Sequence, residues 1–334
     1  MIQHNRPTIH LEEEAAARRV LRSGWLAQGS EVEKFENKFC DFMGLPHRHA
    51  VAVSSGTAAL FISLWALGAA GKKVALPAYS CSALSNAVTM VGGETRIIDS
   101  SSDSPNIDIH LLNESDADIA VVPHIFGLPV DVKHVKKSLL IEDCAHALGA
   151  RIDDMPVGLH GDIGIFSFYA TKLMTSGGQG GMIVAKDKSL IDIVRDYRDF
   201  DQKNDHIPRF NFQMTDLQAA IGRVQLKKVP TFLAKREEIF QRYRQAGLTL
   251  LDANCHHPVR YRAVMVSSHG EEVIAALERV NIRAIVPVED WELLSKPEYN
   301  PQACLWTHKT VSLPIYPSLE MNDVEKIIRE VKLI

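Results

Sequence analysis

The chain has 334 residues, 46% of them hydrophobic and 23% charged, with a formal net charge of -4. That length suits one large and one smaller domain of a globular protein, and no basic block or acidic tail suggests nucleic acid or an anionic membrane as the main partner. No apolar run is long enough to span a bilayer, and the start, "MIQHNRPTIHLEEEAAARRV", has three consecutive glutamates where a signal peptide needs an apolar core.

From Glu12 to Gly44 the pattern is helical: Val32, Phe35, Phe39 and Phe42 fall at three- and four-residue spacings, and Gly44 closes it. Short apolar runs bounded by turn residues follow. They are "AVAV" (Ala50–Val53), "KVAL" (Lys73–Leu76), "TRIID" (Thr95–Asp99), "DIAVV" (Asp118–Val122), "LLIED" (Leu139–Asp143), "IGIFSF" (Ile163–Phe168) and "MIVA" (Met182–Ala185). Several are apolar on both faces, which predicts a mainly parallel seven-stranded sheet covered by helices on both sides, an α/β architecture. "GTAALFISLWALGAAG" and "DVKHVKK" read as intervening helices. From about Gln218, "LQAAIGRVQLKKVPTFLAKREEIFQRYRQAG" is helical to Gly247 with a break at Pro230. The strand "RAVMVSS" and a final helix, "MNDVEKIIREVKLI", complete a small α+β region. The expected division is a large domain, residues 1–230, and a small C-terminal one, residues 231–334. The cysteines Cys40, Cys81, Cys144, Cys255 and Cys304 are odd in number and form no CxxC pair, so free thiols in a reducing, cytoplasmic setting are expected.

Three strand ends carry chemistry. In "AVAVSSGTAAL" a strand runs through Ser54, Ser55, Gly56 and Thr57 straight into a helix. The unpaired N–H groups and partial positive charge of such a terminus can hold a phosphate, although an ordinary Ser or Thr N-cap explains the same residues. In "LLIEDCAHALGA", Asp143 sits at the carboxyl end of a buried strand, where open α/β sheets place their ligands. It needs a cationic or hydrogen-bonding partner, or else simply caps the next turn. A metal held by Asp143, Cys144 and His146 is disfavoured: alternate residues near a strand end diverge, and no second ligand pair follows.

In "FSFYATKLMTSGGQGGMIVA", Lys172 stands between two apolar runs and ahead of Gly177, Gly178, Gly180 and Gly181. A desolvated amine at a strand end is the nucleophile that an imine with an aldehyde requires; the plain reading is a lysine snorkelling to water. The glycines match neither a phosphate-binding GxxxxGK[ST] loop nor a dinucleotide fingerprint, because a strand follows them. They read as a tight turn in close approach to another part of the chain. Anion pocket, carboxylate and lysine together meet the needs of pyridoxal phosphate, at its phosphate, its ring nitrogen and its aldehyde respectively.

At this point the chain resembles the sugar aminotransferase family named for DegT, DnrJ and StrS. The resemblance rests on "SGWLAQGSEVEKFENKFCDFMG", "SSGTAAL", "EDCAHALGA", "GDIGIFSFYATK", "NFQMTDLQAAIGRVQL" and "SLPIYPSLEMNDVEKII", in the family's order from about Gly24 to Glu330. It implies the aspartate-aminotransferase-like fold type I and transfer of an amino group from glutamate or glutamine to a keto sugar, commonly nucleotide-linked. It further implies that Lys172 binds the cofactor and shuttles protons, and that Asp143 pairs with the pyridine nitrogen. His146 would lie near the ring hydroxyl, and Gly56, Thr57, Ala58 and Ser167 would hold the phosphate. Asn211 would reach the neighbouring subunit's cofactor, so a homodimer with shared sites is implied. The chain departs from the family at Cys81, where many members carry an aromatic ring that stacks on the cofactor, at Gln179 (often acidic) and at Gln213 (often basic). Dehydratases of this family carry histidine in place of the lysine, so Lys172 speaks against that reaction. Other lysine-dependent outcomes such as decarboxylation, and a regulator that binds the cofactor without turnover, are the alternatives.

Overall fold

The computed structural model describes residues 1–253 and 256–334, and Cys255 lies outside the described residues. The helical run expected from Glu12 to Gly44 is two helices, α1 (Leu11–Ser23) and α2 (Ser30–Met43). Gly24 ends the first in a left-handed conformation, φ 74°, and Gly29 sits at the N-cap of the second. A residue without Cβ adopts that φ at little cost, so a pattern that reads as continuous can stop there.

The chain then alternates strand and helix: β1 (Ala50–Val53), α3 (Gly56–Ala66), β2 (Lys73–Pro77), α4 (Ala83–Met90), β3 (Glu94–Ile98), α5 (Ile109–Glu114), β4 (Ile119–Pro123) and β5 (Leu139–Asp143). The helix expected at "DVKHVKK" is only one 3-10 turn, Val132–His134. Seven residues give too few hydrogen bonds to offset nucleation, and the Asn113 side chain accepts the Lys136 N–H at 2.8 Å, holding that stretch open. A two-residue ribbon follows, β6 (Arg151–Ile152) with β7 (Met155–Pro156), and then β8 (Ile163–Ser167), β9 (Gly181–Val184) and α6 (Lys188–Arg198).

The main sheet has seven strands in the order β1-β9-β8-β5-β4-β2-β3. All neighbours are parallel except β9, which runs antiparallel to both β8 and β1. Alternate residues of each strand enter opposite cores. Ala52, Ala120, Val122, Phe166 and Met182 join Phe35 and Phe39 of α2 on one face. Val51, Val53, Leu76, Val121, Ile141, Ile165 and Ile183 join Leu60, Ile62 and Leu64 of α3 on the other. Burial on both faces is why the strands read as unbroken apolar runs, each large side chain contributing about 1.5–3 kcal/mol of transfer free energy.

Helix α7 (Asp216–Gln245) passes Pro230 without the expected break. Thr215 and Gln218 close a reciprocal capping box at its start. Pro230 is on the exposed face, and Leu226 and Val229 pack in the sheet core while Ile239, Phe240 and Tyr243 pack in a second core. Anchorage at both ends outweighs the roughly 3 kcal/mol that an interior proline costs. The second core is completed by β10 (Ala263–Val266), α8 (Gly270–Arg279) and, beyond α9 (Pro301–Lys309), by β11 (Thr310–Leu313) and α10 (Met321–Val331), with β10 antiparallel to β11; Ala303 and Trp306 of α9 pack instead with Ala78, Tyr79 and Phe126. No described helix is long and apolar enough to cross a membrane.

Candidate active site

Register brings the carboxyl ends of the strands together. Pro123, Asp143 and Ile165 are cross-strand partners, and Ser167, Gly181 and Val53 form the next such row. At this edge lies a cavity of about 260 Å³ lined by Cys81, His124, Phe126, Asp143, His146, Lys172, Tyr261, Arg262 and Glu292, among others. Concavities of about 600 and 630 Å³ exist elsewhere on the surface, but they contain none of these groups.

Asp143 and Glu142 are adjacent on β5 and therefore point to opposite sides. Glu142 is fully buried and accepts from His124 Nε2 at 3.1 Å and from the N–H groups of Gly158, His160 and Gly161. Burial opposes its ionisation, but those donors outweigh it and hold its carboxyl below the ordinary value. Four donors on one carboxylate pin the end of β5, which fixes Asp143 in the cavity. Asp143 Oδ1 accepts the Ala145 N–H at 2.9 Å. Burial pushes its carboxyl up, against that hydrogen bond and the charges of Lys172 and His124. Cys144 turns into the sheet core, so Asp143, Cys144 and His146 do not converge.

Lys172 is not at the strand end, as expected, but five residues beyond β8, on a turn where its N–H donates to the Tyr169 carbonyl at 2.9 Å. It is half-buried rather than enclosed. Its Nζ lies 5.1 Å from the centroid of the Tyr261 ring, which in turn stacks on His146 at 4.1 Å. Burial, with Lys172 and Arg262, pushes His146 well below the ordinary histidine value, so it is neutral. Burial alone would raise the Tyr261 phenol, but the charges of Lys172, Arg262 and Arg236 and a hydrogen bond with Thr171 outweigh it and lower it.

Gly56, Thr57, Ala58 and Ser167 are absent from the cavity wall and form an adjoining cradle. Ser55 caps α3 by accepting the Ala58 N–H at 3.1 Å, so of the expected phosphate donors Ala58 is already engaged. Both sequence readings of this turn hold together: it is an N-cap, and its remaining first-turn N–H groups stay available. A Cβ on Gly56 would lie 2.8 Å from Ser167 Cβ, and one on Gly181 would lie 2.4 Å from the Ser55 carbonyl. Of the four glycines, Gly181 is thus the one that approaches the start of α3, whereas Gly177 faces Ile221 and Gly180 faces Met214 and Ser176. Gly56→Ala is expected to destabilise the cofactor-free protein by about 1–2 kcal/mol in urea melts, since overpacking exceeds the gain in helix propensity. An unchanged midpoint would show that the cradle can widen. Asn211 is exposed, with its side chain accepting the Gln213 N–H at 3.1 Å, and it does not line this cavity. Gln179 is likewise exposed.

Phe126, Tyr261, Arg262 and Glu292 are wall residues that the sequence reading missed. "HIFG" follows the end of β4 directly, so the strand-end rule applied to Asp143 could have found Phe126, whose φ of 59° is rare for a side chain of its size. Tyr261 and Arg262 carry no such signal, because nothing local tells that the segment just before β10 packs against the sheet core, which Tyr261 joins.

A profile described as the DegT/DnrJ/EryC1/StrS aminotransferase family matches residues 7–332. The chain belongs to this family. It is an aminotransferase of the sugar-biosynthetic kind, and pyridoxal 5'-phosphate is the cofactor on which DegT/DnrJ/EryC1/StrS aminotransferases depend. The chain is 30% identical to the spore coat polysaccharide biosynthesis protein SpsC of Bacillus subtilis, over 99% of this chain and 96% of that one. It is 31% identical to GDP-perosamine synthase of Escherichia coli O157:H7, over 72% and 69% of the two. The crystal structure of the aminotransferase TlmJ from Streptoalloteichus hindustanus superimposes with a TM-score of 0.91 at 28% identity, covering 100% of this chain and 98% of that one. The residues present fit the family's cofactor: a desolvated carboxyl with one oxygen turned to a backbone N–H, an amine across the cavity, and a cradle that a single Cβ would fill.

Proposed function

We propose that this aminotransferase moves an amino group from glutamate or glutamine to the carbonyl of a nucleotide-linked keto sugar. The observation that carries this reading is the meeting of Lys172, Asp143 and His146 on one cavity at the carboxyl edge of the sheet. The cofactor, when bound, supplies an aldehyde to take up the amino group and a protonated ring to draw electrons from the neighbouring carbon. Asp143 holds the proton on the ring nitrogen, a charge pairing that restores the ionised form which burial alone disfavours. Lys172 Nζ anchors the cofactor and then carries a proton to and from the substrate carbon, its place on a turn giving the amine room to swing.

Neutral His146 hydrogen-bonds at the ring hydroxyl. Gly56 and Thr57 bind the phosphate through first-turn N–H groups, Thr57 and Ser167 add hydroxyls, and Ala58 borders the pocket. Cys81 faces the ring with less contact area than an aromatic side chain would give.

The working unit in this reading is a homodimer whose two sites are shared, Asn211 reaching the phosphate of the partner's cofactor. Its exposure outside its own chain's cavity supports this, as do exposed Leu21, Trp25 and Leu26. Residues 1–230 serve as the cofactor-binding domain and residues 231–334 as the small domain, a division supported by the separate cores joined through α7. A cytoplasmic location is supported by the free thiols of Cys40, Cys81, Cys144 and Cys304. Adding glutamate or glutamine to the purified, cofactor-loaded enzyme should convert its spectrum to the pyridoxamine form. A spectrum that no amino donor changes would leave a cofactor-binding regulator instead.

A further inference from the structure

Three metal-ligating side chains of different chemistry meet at one point beside the cavity. Cys304 and His308 are four residues apart on α9 and so share a face of that helix. Asp290, at the start of the 3-10 turn Asp290–Glu292, reaches the same face from a separate segment. One ligand atom from each lies within 4.8 Å of the other two. His308 Nε2 is 3.3 Å from Asp290 Oδ2, and Cys304 Sγ is 4.0 Å from Asp290 Oδ1. Tetrahedral zinc, with bonds of about 2.0–2.1 Å to nitrogen or oxygen and about 2.3 Å to sulfur, separates such atoms by about 3.3–3.6 Å. The imidazole and carboxylate are thus already spaced as ligands, and the sulfur closes the remainder through its single side-chain torsion.

The surroundings hold these groups in place. Asp99, at the end of β3, accepts the N–H groups of Gln302 and Ala303 at 3.0 and 2.8 Å, and Trp306 Nε1 donates to the Ser101 carbonyl at 2.9 Å, so α9 is fastened to the sheet. Thr307 Oγ1 lies within hydrogen-bond distance of Asp290 Oδ1, the kind of outer contact that orients a ligating carboxylate. A surface ion pair between His308 and Asp290 contributes little by itself and gives no reason for a thiol at the same carboxylate. Among the described residues His124, Glu142 and Cys144 lie equally close, but they are buried and Glu142 already takes four donors. At Asp290 and His308 the side chains are exposed, which gives an ion its entry path and a water its place.

We propose that Asp290, Cys304 and His308 bind a zinc-class divalent cation, with water as the fourth ligand. Thiolate with imidazole selects zinc over magnesium or calcium, and the Cys304 thiol passes its proton to solvent as the sulfur–metal bond forms. Glu292 belongs to the same 3-10 turn and lines the cavity. The ion therefore ties one cavity wall to α9 and, through Asp99, to the sheet.

Titration of the cofactor-loaded full chain with cobalt(II) and then zinc tests the site without turnover. Cobalt should give the intense visible bands of a tetrahedral site, at longer wavelength than the cofactor absorbs, saturating at one equivalent and bleached by zinc. In competition with a chromophoric chelator, Cys304→Ser and His308→Ala should each weaken zinc by at least about a hundredfold, and Thr307→Val by about tenfold. Melting temperatures and metal-free amino transfer should stay parental, since none of the three residues lines the cavity. Zinc should also slow hydrogen exchange at the Glu292 and Leu293 N–H groups, which close the turn on the Glu289 and Asp290 carbonyls, in the parent but not in the variants. An octahedral cobalt spectrum, parental zinc affinity in Cys304→Ser or His308→Ala, or exchange in the turn that zinc leaves unaltered overturns the proposal.

Discussion

Lys172→Ala is expected to abolish the absorbance band of the lysine-linked cofactor and to reduce amino transfer to background. The proton transfer alone accounts for about 10²–10⁴-fold in rate, and loss of the covalent anchor adds to it. The fold should survive: Lys172 is half-buried on a turn, and its Nζ meets an aromatic ring rather than a carboxylate. Stability within about 0.5 kcal/mol of the parent is therefore expected for the cofactor-free protein. Retention of the band would show that a different lysine carries the cofactor. Lys72 and Lys309, which do not line the cavity, serve as controls, and alanine at either should leave the spectrum alone.

Asp143→Asn should leave structure intact while lowering turnover by about 10²–10³-fold, the range seen when one preorganised electrostatic contact is removed. Its effect on stability has a definite sign. Burial raises the Asp143 carboxyl above its ordinary value in the folded, cofactor-free chain, so the folded state holds the proton more tightly than the unfolded one. The resulting stabilisation is present at acid pH and is lost as pH rises through the unfolded and then the folded value. At neutral pH the asparagine variant, having no charge to desolvate, should melt no lower than the parent when both lack cofactor. With cofactor the order should reverse, because only the carboxylate gains a cationic partner. Near-normal rates in the variant would remove Asp143 from the site.

The strands were the most legible part of the chain because each is buried on both faces, and a run such as "LLIED" or "IGIFS" has no other place to go. Their ends shifted by one residue at β2, β3, β4, β8 and β9: a flanking proline, glutamate or glycine joins the ladder at β2, β3, β4 and β9, and Phe168 falls outside β8. Helices were less legible where a single residue decides them. Gly24 ends α1 through one backbone angle, whereas Pro230 fails to end α7 because contacts far away in sequence hold both halves straight. "DVKHVKK" had helical composition, but Asn113, on a neighbouring element, takes one of its N–H groups.

Asp143 and His146 could be placed at the cavity because open sheets collect their ligands at strand ends. Arg262 and Tyr261 could not, since they lie just before β10, far along the chain, and Tyr261 joins the sheet core through contacts that no local pattern announces. Lys172 was legible in identity but not in setting: the sequence placed it at a strand end, and the extra turn that frees it is set by backbone contacts to Tyr169.

The placement of β9 has a consequence for how the enzyme is made. Among the described residues, the first strand of the sheet, β1, pairs with no strand but β9, about 130 residues later in the chain. A ribosome must therefore finish the segment through Val184 before the opening strand finds its neighbour and the mouth of α3 is framed by Gly181. Closing so long a loop is slow, and until then an apolar edge stands open to other nascent chains. Chains released short of that strand would leave β1 without its partner and the start of α3 unframed.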